Sequence, residues 1–325
     1  MKVVVTDRNF DDLAVERAIL EGAGHTVVDP CSKDPNVLAA AVADADAVIT
    51  QFAPVNAAVI DAMARARAIV RYGIGYDNVD VEAARARGIP VCNIPDYCID
   101  EVADHTLALI LAVTRQVVPH DRRVHGGGWG LASPVDAFRT LASTVCGVVG
   151  FGRIGRGVVR RLVAFGGRVV VADPVASAAE IEAAGAEPVA LDRLLAESDL
   201  VTLHCPSLPQ TRGMINAASL GRVKRGMILV NLSRGDLVDP DALVAALDAG
   251  HVSAAALDVF TPEPIPAGHP ILGRAGVILA PHIASVSPAA VRRLRTTAAE
   301  LALAALDGKP LPSIVNGVGA ARIVS

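Results

Sequence analysis

The sequence predicts an α/β protein built from two doubly wound parallel-sheet domains, and three observations predict it. Short apolar runs alternate with helical patterns over residues 2–95, and the same alternation returns over residues 141–286. The runs are rich in valine and alanine, as is typical of parallel strands covered on both faces. The chain has 325 residues, of which 52% are hydrophobic, so it can bury two cores.

The first part of the chain is expected to alternate five strands with four helices. The strands are expected at Lys2–Thr6, His25–Val28, Ala47–Thr50, Ala68–Arg71 and Pro90–Asn93. The helices are expected at Asp12–Glu21, Asn36–Ala43, Asn56–Ala64 and Val81–Arg87. Gly22, Gly24 and Gly88 fall where helices should end, because glycine tolerates the left-handed backbone of a helix C-terminus.

The loop after the fourth strand, Tyr72–Asn78, is a candidate site. Ligands of doubly wound sheets bind beyond the carboxyl ends of the strands. The two glycines of this loop, Gly73 and Gly75, would expose backbone N–H groups to a carboxylate. On the residues alone, an ordinary turn is an equal alternative.

A long apolar helix is expected at Asp100–Val118, with Asp100 as its N-terminal cap. The early acids Glu101 and Asp104 suit the positive end of the helix dipole. The next segment, His120–Thr140, is expected to be rich in loops because glycines interrupt it.

The second half of the chain is expected to form another doubly wound unit that begins with the strand Val145–Val149. Further strands are expected at Arg168–Ala172, near Val189, and at Leu200–Cys205, Met227–Leu232, Ala254–Val259 and Val277–Ala280. Helices are expected at Ser177–Ala184 and Pro240–Ala249. The final helix, Pro288–Asp307, should leave this unit and pack on the first, so that the chain crosses between domains near residues 100 and 287.

The stretch Gly150–Gly155 reads Gly-Phe-Gly-Arg-Ile-Gly between an apolar strand and a helical pattern. In a dinucleotide-binding turn, Gly150 would allow the tight turn, Gly152 the approach of a pyrophosphate, and Gly155 close packing of helix on sheet. Asp173 lies 21 residues after Gly152, close to the roughly 20 expected of a ribose-binding carboxylate. With no arginine beside it, Asp173 favours NAD over NADP, whose 2′-phosphate would meet a like charge. The alternative is a glycine-rich turn followed by an ordinary strand-end aspartate.

The helix after this turn should bury one apolar face against the sheet. Its members are Val158, Val159, Leu162, Val163 and Phe165. Polar side chains also follow successive strands of the same unit at one rim. They are Ser233 and Arg234, Asp258 and Glu263, and His282. Charged residues that converge on the edge of a cofactor are what an active site requires.

Composition excludes several kinds of partner. The net charge of −4 and an aromatic content of 3% argue against nucleic acid, which needs basic patches or stacking platforms. The longest apolar run, Leu107–Val113, is too short to span a membrane, and the start of the chain enters a strand directly with no leader expected. Five cysteines occur singly and no zinc spacing is present, so we expect reduced thiols, a cytoplasmic location and no metal.

Six motifs together resemble the D-isomer-specific 2-hydroxyacid dehydrogenase family over essentially the whole chain. They are Gly73–Asp80 (GIGYDNVD), Glu101–Thr106 (EVADHT), Gly150–Gly155, Asn231–Gly235 (NLSRG), Leu257–Pro264 (LDVFTPEP) and Pro281–Ser285 (PHIAS). The resemblance implies a Rossmann domain for NAD at residues 101–286. This domain would be inserted in a flavodoxin-like substrate domain formed by residues 1–100 and 287–325.

The resemblance also implies a catalytic set, because the Arg, Glu and His of the last three motifs match Arg234, Glu263 and His282. Arg234 can make a forked, charge-assisted contact to the oxygens of a 2-keto acid. His282 would give a proton to the carbonyl oxygen as hydride arrives from the nicotinamide, and would act as the base in the reverse direction. Glu263 beside the imidazole would favour its protonated form and hold its orientation. Each residue alone has an ordinary structural explanation, but their joint spacing favours function.

Further contacts follow from the resemblance alone. The backbones of Ile74 and Gly75 should hold the substrate carboxylate, Arg153 and Ile154 should lie at the pyrophosphate, and Asp258 should meet the nicotinamide carboxamide. The cofactor cleft should be lined by Thr106, His204, Cys205, Pro206, Thr211, Leu232 and Ser233. Two positions depart from the family pattern. Ala284-Ser285 stands where Gly-Gly is frequent, so Ala284 would narrow the floor near the nicotinamide, and Asp104 stands where Glu is common.

The family offers two kinds of function, and a third possibility, a specialised phosphoglycerate, hydroxypyruvate or glyoxylate enzyme, differs only in substrate. The last helix and Ser285–Ala289 look closest to a branch with phosphoglycerate dehydrogenases and C-terminal-binding-protein co-repressors, so an NAD(H)-sensing module that docks a peptide is the alternative to an enzyme. The catalytic set does not separate the two. The end of the chain, with no recognisable disordered tail or regulatory domain, favours a plain enzyme over the co-repressor or the long allosteric phosphoglycerate form. A homodimer through Val118–Thr140 is expected. The sequence does not decide which residue contacts the side chain of the substrate, and the candidates are Phe52, Tyr72, Tyr76 and Tyr97.

Overall fold

A computed structural model describes residues 1–322 of the chain, which folds as two units. Unit 1 contains Met1–Tyr97 and the chain from Ser287 onward, and unit 2 contains Cys98–Val286. Unit 2 is therefore an insertion in the sequence of unit 1. The divisions expected from the sequence lie at residues 100/101 and 286/287.

Unit 1 is a five-stranded parallel sheet with helices. Its strands are β1 (Lys2–Val5), β2 (Thr26–Val28), β3 (Ala47–Thr50), β4 (Ile69–Arg71) and β5 (Val91–Cys92). Its helices are α1 (Ala14–Leu20), α2 (Pro35–Val42), α3 (Ala57–Ala62), α4 (Val81–Ala86) and α12 (Pro288–Leu306). The strand order is β2-β1-β3-β4-β5, which is the flavodoxin-like order. Val4 in β1 pairs with Val28 on one side and Val48 on the other, and these apolar strands form the centre of the core.

A buried ion pair joins α1 to α12. Arg295 reaches Glu16 with a forked contact, Nη2 to Oε2 at 2.7 Å and Nε to Oε1 at 2.9 Å, and Glu16 has no exposed surface. Tyr72, directly after β4, donates its hydroxyl to Glu16 Oε1 at 2.9 Å. The Arg295 guanidinium also lies 4.8 Å from the centre of the Phe10 ring. The buried carboxylate is thus fully hydrogen-bonded, as a buried charge requires.

Unit 2 is a seven-stranded parallel sheet. Its strands are β6 (Cys146–Val149), β7 (Val169–Ala172), β8 (Glu187–Pro188), β9 (Leu200–Leu203), β10 (Met227–Asn231), β11 (Val252–Leu257) and β12 (Val277–Leu279). Its helices are α5 (Ile99–Thr114), α6 (Val117–His125), α7 (Arg153–Val163), α8 (Ala178–Ala183), α9 (Leu191–Glu197), α10 (Ala217–Leu220) and α11 (Pro240–Asp248).

The strand order of unit 2 is β12-β11-β10-β9-β6-β7-β8. The order reverses between β6 and β9, and such a switch point is where doubly wound sheets bind ligands. The fold class predicted from the sequence, two doubly wound parallel sheets of Rossmann and flavodoxin-like order, is confirmed.

The predicted helix Asp100–Val118 is wrong at both ends. The helix begins at Ile99 with Cys98 as its N-cap residue, so Asp100 lies inside the first turn and does not cap it. Its carboxylate is instead 2.9 Å from Arg161 of α7. At the other end Gln116 has φ +55°, a left-handed conformation that separates α5 from α6. The segment predicted as a loop therefore contains the helix α6, none of whose residues is buried.

Two short helices and one side chain also differ from the prediction. The helices α9 and α10, of seven and four residues, are missing from the sequence prediction. Phe165 is 42% exposed, since it follows the end of α7 and does not share its buried face. Val158, Val159 and Leu162 are buried as predicted.

Residues 1–322 contain neither a candidate membrane span nor a candidate metal cluster. Within that part of the chain, none of the helices combines the length and apolar character needed to cross a membrane. The same residues contain no group of three or more histidine, cysteine, aspartate or glutamate side chains arranged to hold a metal ion.

Candidate active site

The glycine turn at the switch point of unit 2 is shaped by close backbone contacts. Gly150 has φ +97°, and a Cβ there would lie 2.7 Å from the backbone nitrogen of Cys205. A Cβ at Gly155 would lie 2.0 Å from the carbonyl oxygen of Gly150. A Cβ at Gly152 would have no atom within 4 Å. The protein's own packing therefore requires the first and third glycines, whereas the second faces open space at the start of α7.

Asp173 follows β7, and its carboxylate accepts three backbone hydrogen bonds. Phe151 donates to Oδ2 at 2.6 Å, and Val175 and Ala176 donate to Oδ1 at 2.7 and 2.8 Å. Burial alone would raise the pKa of this carboxyl, but the three N–H groups outweigh burial and lower it. Asp173 is therefore negatively charged at neutral pH, one hydrogen bond away from the glycine turn.

The residues after β9 lie beside the same turn. His204 shares a hydrogen bond of 2.9 Å between its Nε2 and the hydroxyl of Thr202, and burial lowers its pKa to about 3. Burial raises the pKa of the Cys205 thiol to about 11, so it is not a thiolate nucleophile at neutral pH. The Ser233 hydroxyl donates to the Cys205 carbonyl, which ties the ends of β9 and β10 together. Thr211 closes the loop by donating its hydroxyl to the Pro206 carbonyl at 2.6 Å.

Four other residues predicted to contact the cofactor lie in or next to α7, α5 and β10. Arg153 and Ile154 open α7 directly after Gly152. Thr106 is buried within α5, where its hydroxyl donates to the Val102 carbonyl at 2.7 Å, and Leu232 is buried after β10. The cofactor contacts of these residues stay predictions.

Arg234 is presented by a tight turn at the end of β10. The Asn231 side chain accepts from the Ser233 N–H at 3.0 Å and donates to the Arg234 carbonyl at 2.8 Å, so one side chain fixes the turn. A Cβ at Gly235 would lie 2.0 Å from the backbone carbon of Phe260. The turn after β10 is therefore packed directly against the segment that carries Glu263.

His282 and Glu263 form a hydrogen-bonded pair. The imidazole Nδ1 lies 2.8 Å from Glu263 Oε2, and the other carboxylate oxygen accepts from the Phe260 N–H at 2.8 Å. Burial acts to raise the pKa of Glu263, but the hydrogen bond and charge of His282 outweigh it, and Arg234 adds to the lowering. The carboxylate is thus ionised at neutral pH and oriented toward the imidazole. The structure brings Arg234, Glu263 and His282 together at one rim of unit 2.

The structure shows contacts of Asp258 that the sequence reasoning missed. It is fully buried, and its carboxylate accepts from the N–H groups of Ile283 and Ala284, both at 2.9 Å. The His282 N–H donates to the Asp258 carbonyl at 2.8 Å. Asp258 therefore holds the turn that presents His282, while its predicted contact with a carboxamide stays a prediction. The position of this aspartate directly after an apolar strand was the signal that the sequence offered.

Ile74 and Gly75 lie in unit 1, in the loop that follows β4. Gly73 has φ +144°, and its carbonyl accepts from the Ile94 N–H at 2.9 Å. The Asn93 side chain donates to the Ile74 carbonyl at 2.7 Å. The loop is thus held by the residues that follow β5, at the carboxyl end of the unit 1 sheet.

The chain matches a known protein family over the part that carries this site. Residues 107–284 match the sequence model of the family described as D-isomer specific 2-hydroxyacid dehydrogenase, NAD binding domain. The match covers the glycine turn, Asp173 and the rim that carries Arg234, Glu263 and His282.

Three relatives illustrate the likeness. D-3-phosphoglycerate dehydrogenase of Mycobacterium tuberculosis is 42% identical over 284 residues, 87% of this chain and 53% of that protein, so the chain spans about half the length of that relative. Glyoxylate reductase of Korarchaeum cryptofilum is 40% identical over 296 residues, 89% of this chain and 88% of that protein. Among solved structures, the TT0316 protein of Thermus thermophilus is 37% identical with a TM-score of 0.86, covering 97% of this chain and 100% of that one.

Proposed function

Because the chain belongs to the D-isomer specific 2-hydroxyacid dehydrogenase family, we propose that it is an NAD-dependent oxidoreductase. It interconverts a small 2-keto acid and the D-2-hydroxy acid. The observation that carries the proposal is the hydrogen bond of 2.8 Å between His282 and the ionised Glu263, at the rim that also holds Arg234. An acid–base group of this kind is what reduction of a keto group requires besides hydride.

Each catalytic residue has one task. The guanidinium of Arg234 binds the carboxylate and carbonyl oxygens of the keto acid, for which its planar fork is suited. His282 holds the transferable proton at Nε2, since Nδ1 is occupied by Glu263. During reduction this proton moves to the carbonyl oxygen, and in the reverse direction the neutral imidazole takes it back. Glu263 stabilises the imidazolium and fixes the plane of the ring.

The residues of unit 2 fit NAD, which supplies or accepts the hydride when bound. Gly152 offers an approach with no neighbour within 4 Å for a Cβ, and the N–H groups that open α7 suit a pyrophosphate. Asp173 accepts three hydrogen bonds, and a carboxylate can accept about four, so a ribose hydroxyl finds a charged acceptor. The remaining cofactor contacts are proposed for Arg153, Ile154, Thr106, His204, Cys205, Pro206, Thr211, Leu232, Ser233, Asp258 and Ala284.

Unit 1 is proposed as the substrate domain. The backbone N–H groups of Ile74 and Gly75 would hold the substrate carboxylate, since successive N–H groups in a glycine loop form an anion site. The hydrogen bond from Asn93 to the Ile74 carbonyl supports this, because it fixes the loop before a ligand arrives. The printed names of the relatives make glyoxylate and hydroxypyruvate the first substrates to test.

The chain is also proposed to form a homodimer. Helix α6 buries none of its residues, and the segment after it exposes large apolar side chains. Trp129 is 85% exposed and Val135 is 74% exposed within unit 2. Exposed apolar patches of this kind are typical of protein interfaces, and a second copy of the chain would cover them.

The proposed function is tested with a panel of 2-keto acids. Glyoxylate, hydroxypyruvate, pyruvate and longer homologues are each mixed with the protein and NADH, and NADH absorbance is followed. Oxidation of NADH with at least one member, and formation of the D-hydroxy acid, is expected. Binding of NADH without oxidation by any member would contradict the proposal and favour the NAD(H)-sensing module.

A further inference from the structure

An arginine lies close to the ribose-binding aspartate of unit 2. The guanidinium of Arg156, in α7, stacks 4.4 Å from the centre of the Phe151 ring. The backbone N–H of Phe151 is the group that donates to Asp173 at 2.6 Å, and the positive charge of Arg156 contributes to the lowered pKa of Asp173. The immediate neighbours of Asp173 in the chain do not reveal this cation, because it comes from another element.

The carboxylate of Glu180 forms an ion pair with this arginine. Arg156 Nη2 lies 3.0 Å from Glu180 Oε1. The other oxygen, Oε2, accepts from the backbone N–H and the hydroxyl of Ser177 at 3.0 and 2.9 Å, which forms the capping box of α8. The hydrogen bonds from Ser177 and then from Arg156 lower the pKa of Glu180, so it is ionised at neutral pH. The carboxylate is therefore fixed by the helix terminus and holds the guanidinium from there.

We infer that Glu180 is a second determinant of the preference for NAD over NADP, because its carboxylate pairs with Arg156 of α7. This arginine stacks on Phe151, the residue whose N–H binds Asp173. A 2′-phosphate carries close to two negative charges and is normally met by an arginine. In this chain Asp173 repels that phosphate and Glu180 withholds Arg156 from it. The inference rests on the proposed use of NAD and goes beyond it by naming how the other dinucleotide is excluded.

Substitutions at Asp173 and Glu180 should have different effects on NADPH binding. Removing Asp173 alone removes the repulsion but leaves Arg156 paired, so affinity for NADPH stays low. Removing the charge of Glu180 as well releases the guanidinium for the phosphate. Gln suits this test, because it can replace Glu in a capping box and thereby keeps the start of α8.

The experiment measures dissociation constants of NADH and NADPH by fluorescence titration of the full chain, with no keto acid present. The variants are Asp173→Ser, Glu180→Gln, their combination, and the combination with Arg156→Gln. Glu182→Gln is the matched control, since Glu182 is an exposed acid on the same helix. Adenosine 2′,5′-bisphosphate and 5′-AMP serve as truncated probes of the same site.

We expect the combined variant to favour NADPH over NADH by about tenfold more than Asp173→Ser, the usual effect of a hydrogen bond to a charged group. Adding Arg156→Gln should abolish that gain, and salt should weaken it. Equal ratios in Asp173→Ser and the combined variant, or an equal gain from Glu182→Gln, would overturn the inference while leaving the proposed function intact. A wild-type chain that binds neither dinucleotide would overturn both.

Discussion

His282 has φ +54°, a left-handed conformation that costs a residue other than glycine about 1–3 kcal/mol. The contacts of Asp258 explain how the turn is maintained. The Asp258 carbonyl accepts from the His282 N–H, and the Asp258 carboxylate accepts from the N–H groups of Ile283 and Ala284. A buried aspartate thus holds a strained backbone so that the imidazole meets Glu263.

Glu263→Gln should change the pH dependence of keto-acid reduction. The lowered pKa of Glu263 means that the carboxylate stays charged at neutral pH and is lost only when acid protonates it. A neutral amide stabilises the imidazolium of His282 less than a carboxylate does. The variant should therefore stop reducing keto acids at a lower pH than the wild type. The measurement is kcat/KM for reduction as a function of pH, with Glu182→Gln as a control. If the fall of kcat/KM at high pH occurs at the same pH in Glu263→Gln and the wild type, Glu263 is not the partner of His282.

At this scale the sequence predicts the types of residue better than their contacts. Motif spacing points to Arg234, Glu263 and His282, and all three lie at one rim. The hydrogen bonds that position them, from Asn231 and Asp258, join residues distant in the chain or use backbone groups. No pattern of residue types reveals such contacts, because they depend on how neighbouring strand ends approach.

At the scale of elements, the turn between β6 and α7 contains one glycine that packing requires, Gly155, and one that we propose for cofactor binding, Gly152. Gly155→Ala would place a Cβ 2.0 Å from a backbone oxygen, whereas Gly152→Ala would meet no atom within 4 Å. We therefore predict that Gly155→Ala lowers the free energy of unfolding by about 1–3 kcal/mol or more. Gly152→Ala should unfold like the wild type but bind NADH about tenfold more weakly, since its methyl would occupy the space proposed for the pyrophosphate.

Urea unfolding and NADH titration of the two glycine variants check this prediction together. Each variant is the control for the other, because both add one methyl group to the same turn. Normal NADH affinity in a stable Gly152→Ala protein would contradict the assignment of that glycine to the ligand.

Elements with a strong apolar pattern are the ones that the sequence predicts well. All five strands of unit 1 lie within one or two residues of the predicted bounds. Helix α6 was missed because the three glycines that follow it made the segment His120–Thr140 resemble a loop, and the structure leaves all nine of its residues unburied. The N-cap of α5 was misplaced because Asp100 pairs with arginines of α7, a contact that helix propensity does not contain.

At the scale of the whole molecule, the alternation of strands and helices predicts two parallel sheets, whereas the flavodoxin-like and Rossmann orders of the strands were implied by the resemblance to the family. The chain passes from unit 1 to unit 2 once and returns once, so unit 2 is a single insertion in the sequence of unit 1. A predicted homodimer is the remaining property of the molecule at this scale.

The dimer prediction is tested with Trp129→Asp. The wild type should sediment as a dimer at micromolar concentration, and the charged side chain should shift it toward monomer, because Trp129 is 85% exposed beside a helix with no buried face. Phe165→Asp is the control, since Phe165 is an exposed aromatic elsewhere in unit 2. A monomeric wild type, or equal dissociation by both variants, would contradict an interface at this segment.

The central claim is that His282 is the acid–base group of a keto-acid reductase, and removing its imidazole tests that claim most directly. His282→Ala and His282→Asn are compared with the wild type, Asn being chosen because it tolerates the left-handed backbone. We predict a fall in kcat of about 10²–10⁴-fold with the best keto acid of the panel, the usual effect of general acid–base catalysis. The NADH dissociation constant should be unchanged, because the cofactor is proposed to be held mainly by the glycine turn and Asp173. Near-normal turnover of every keto acid by both variants would contradict the account.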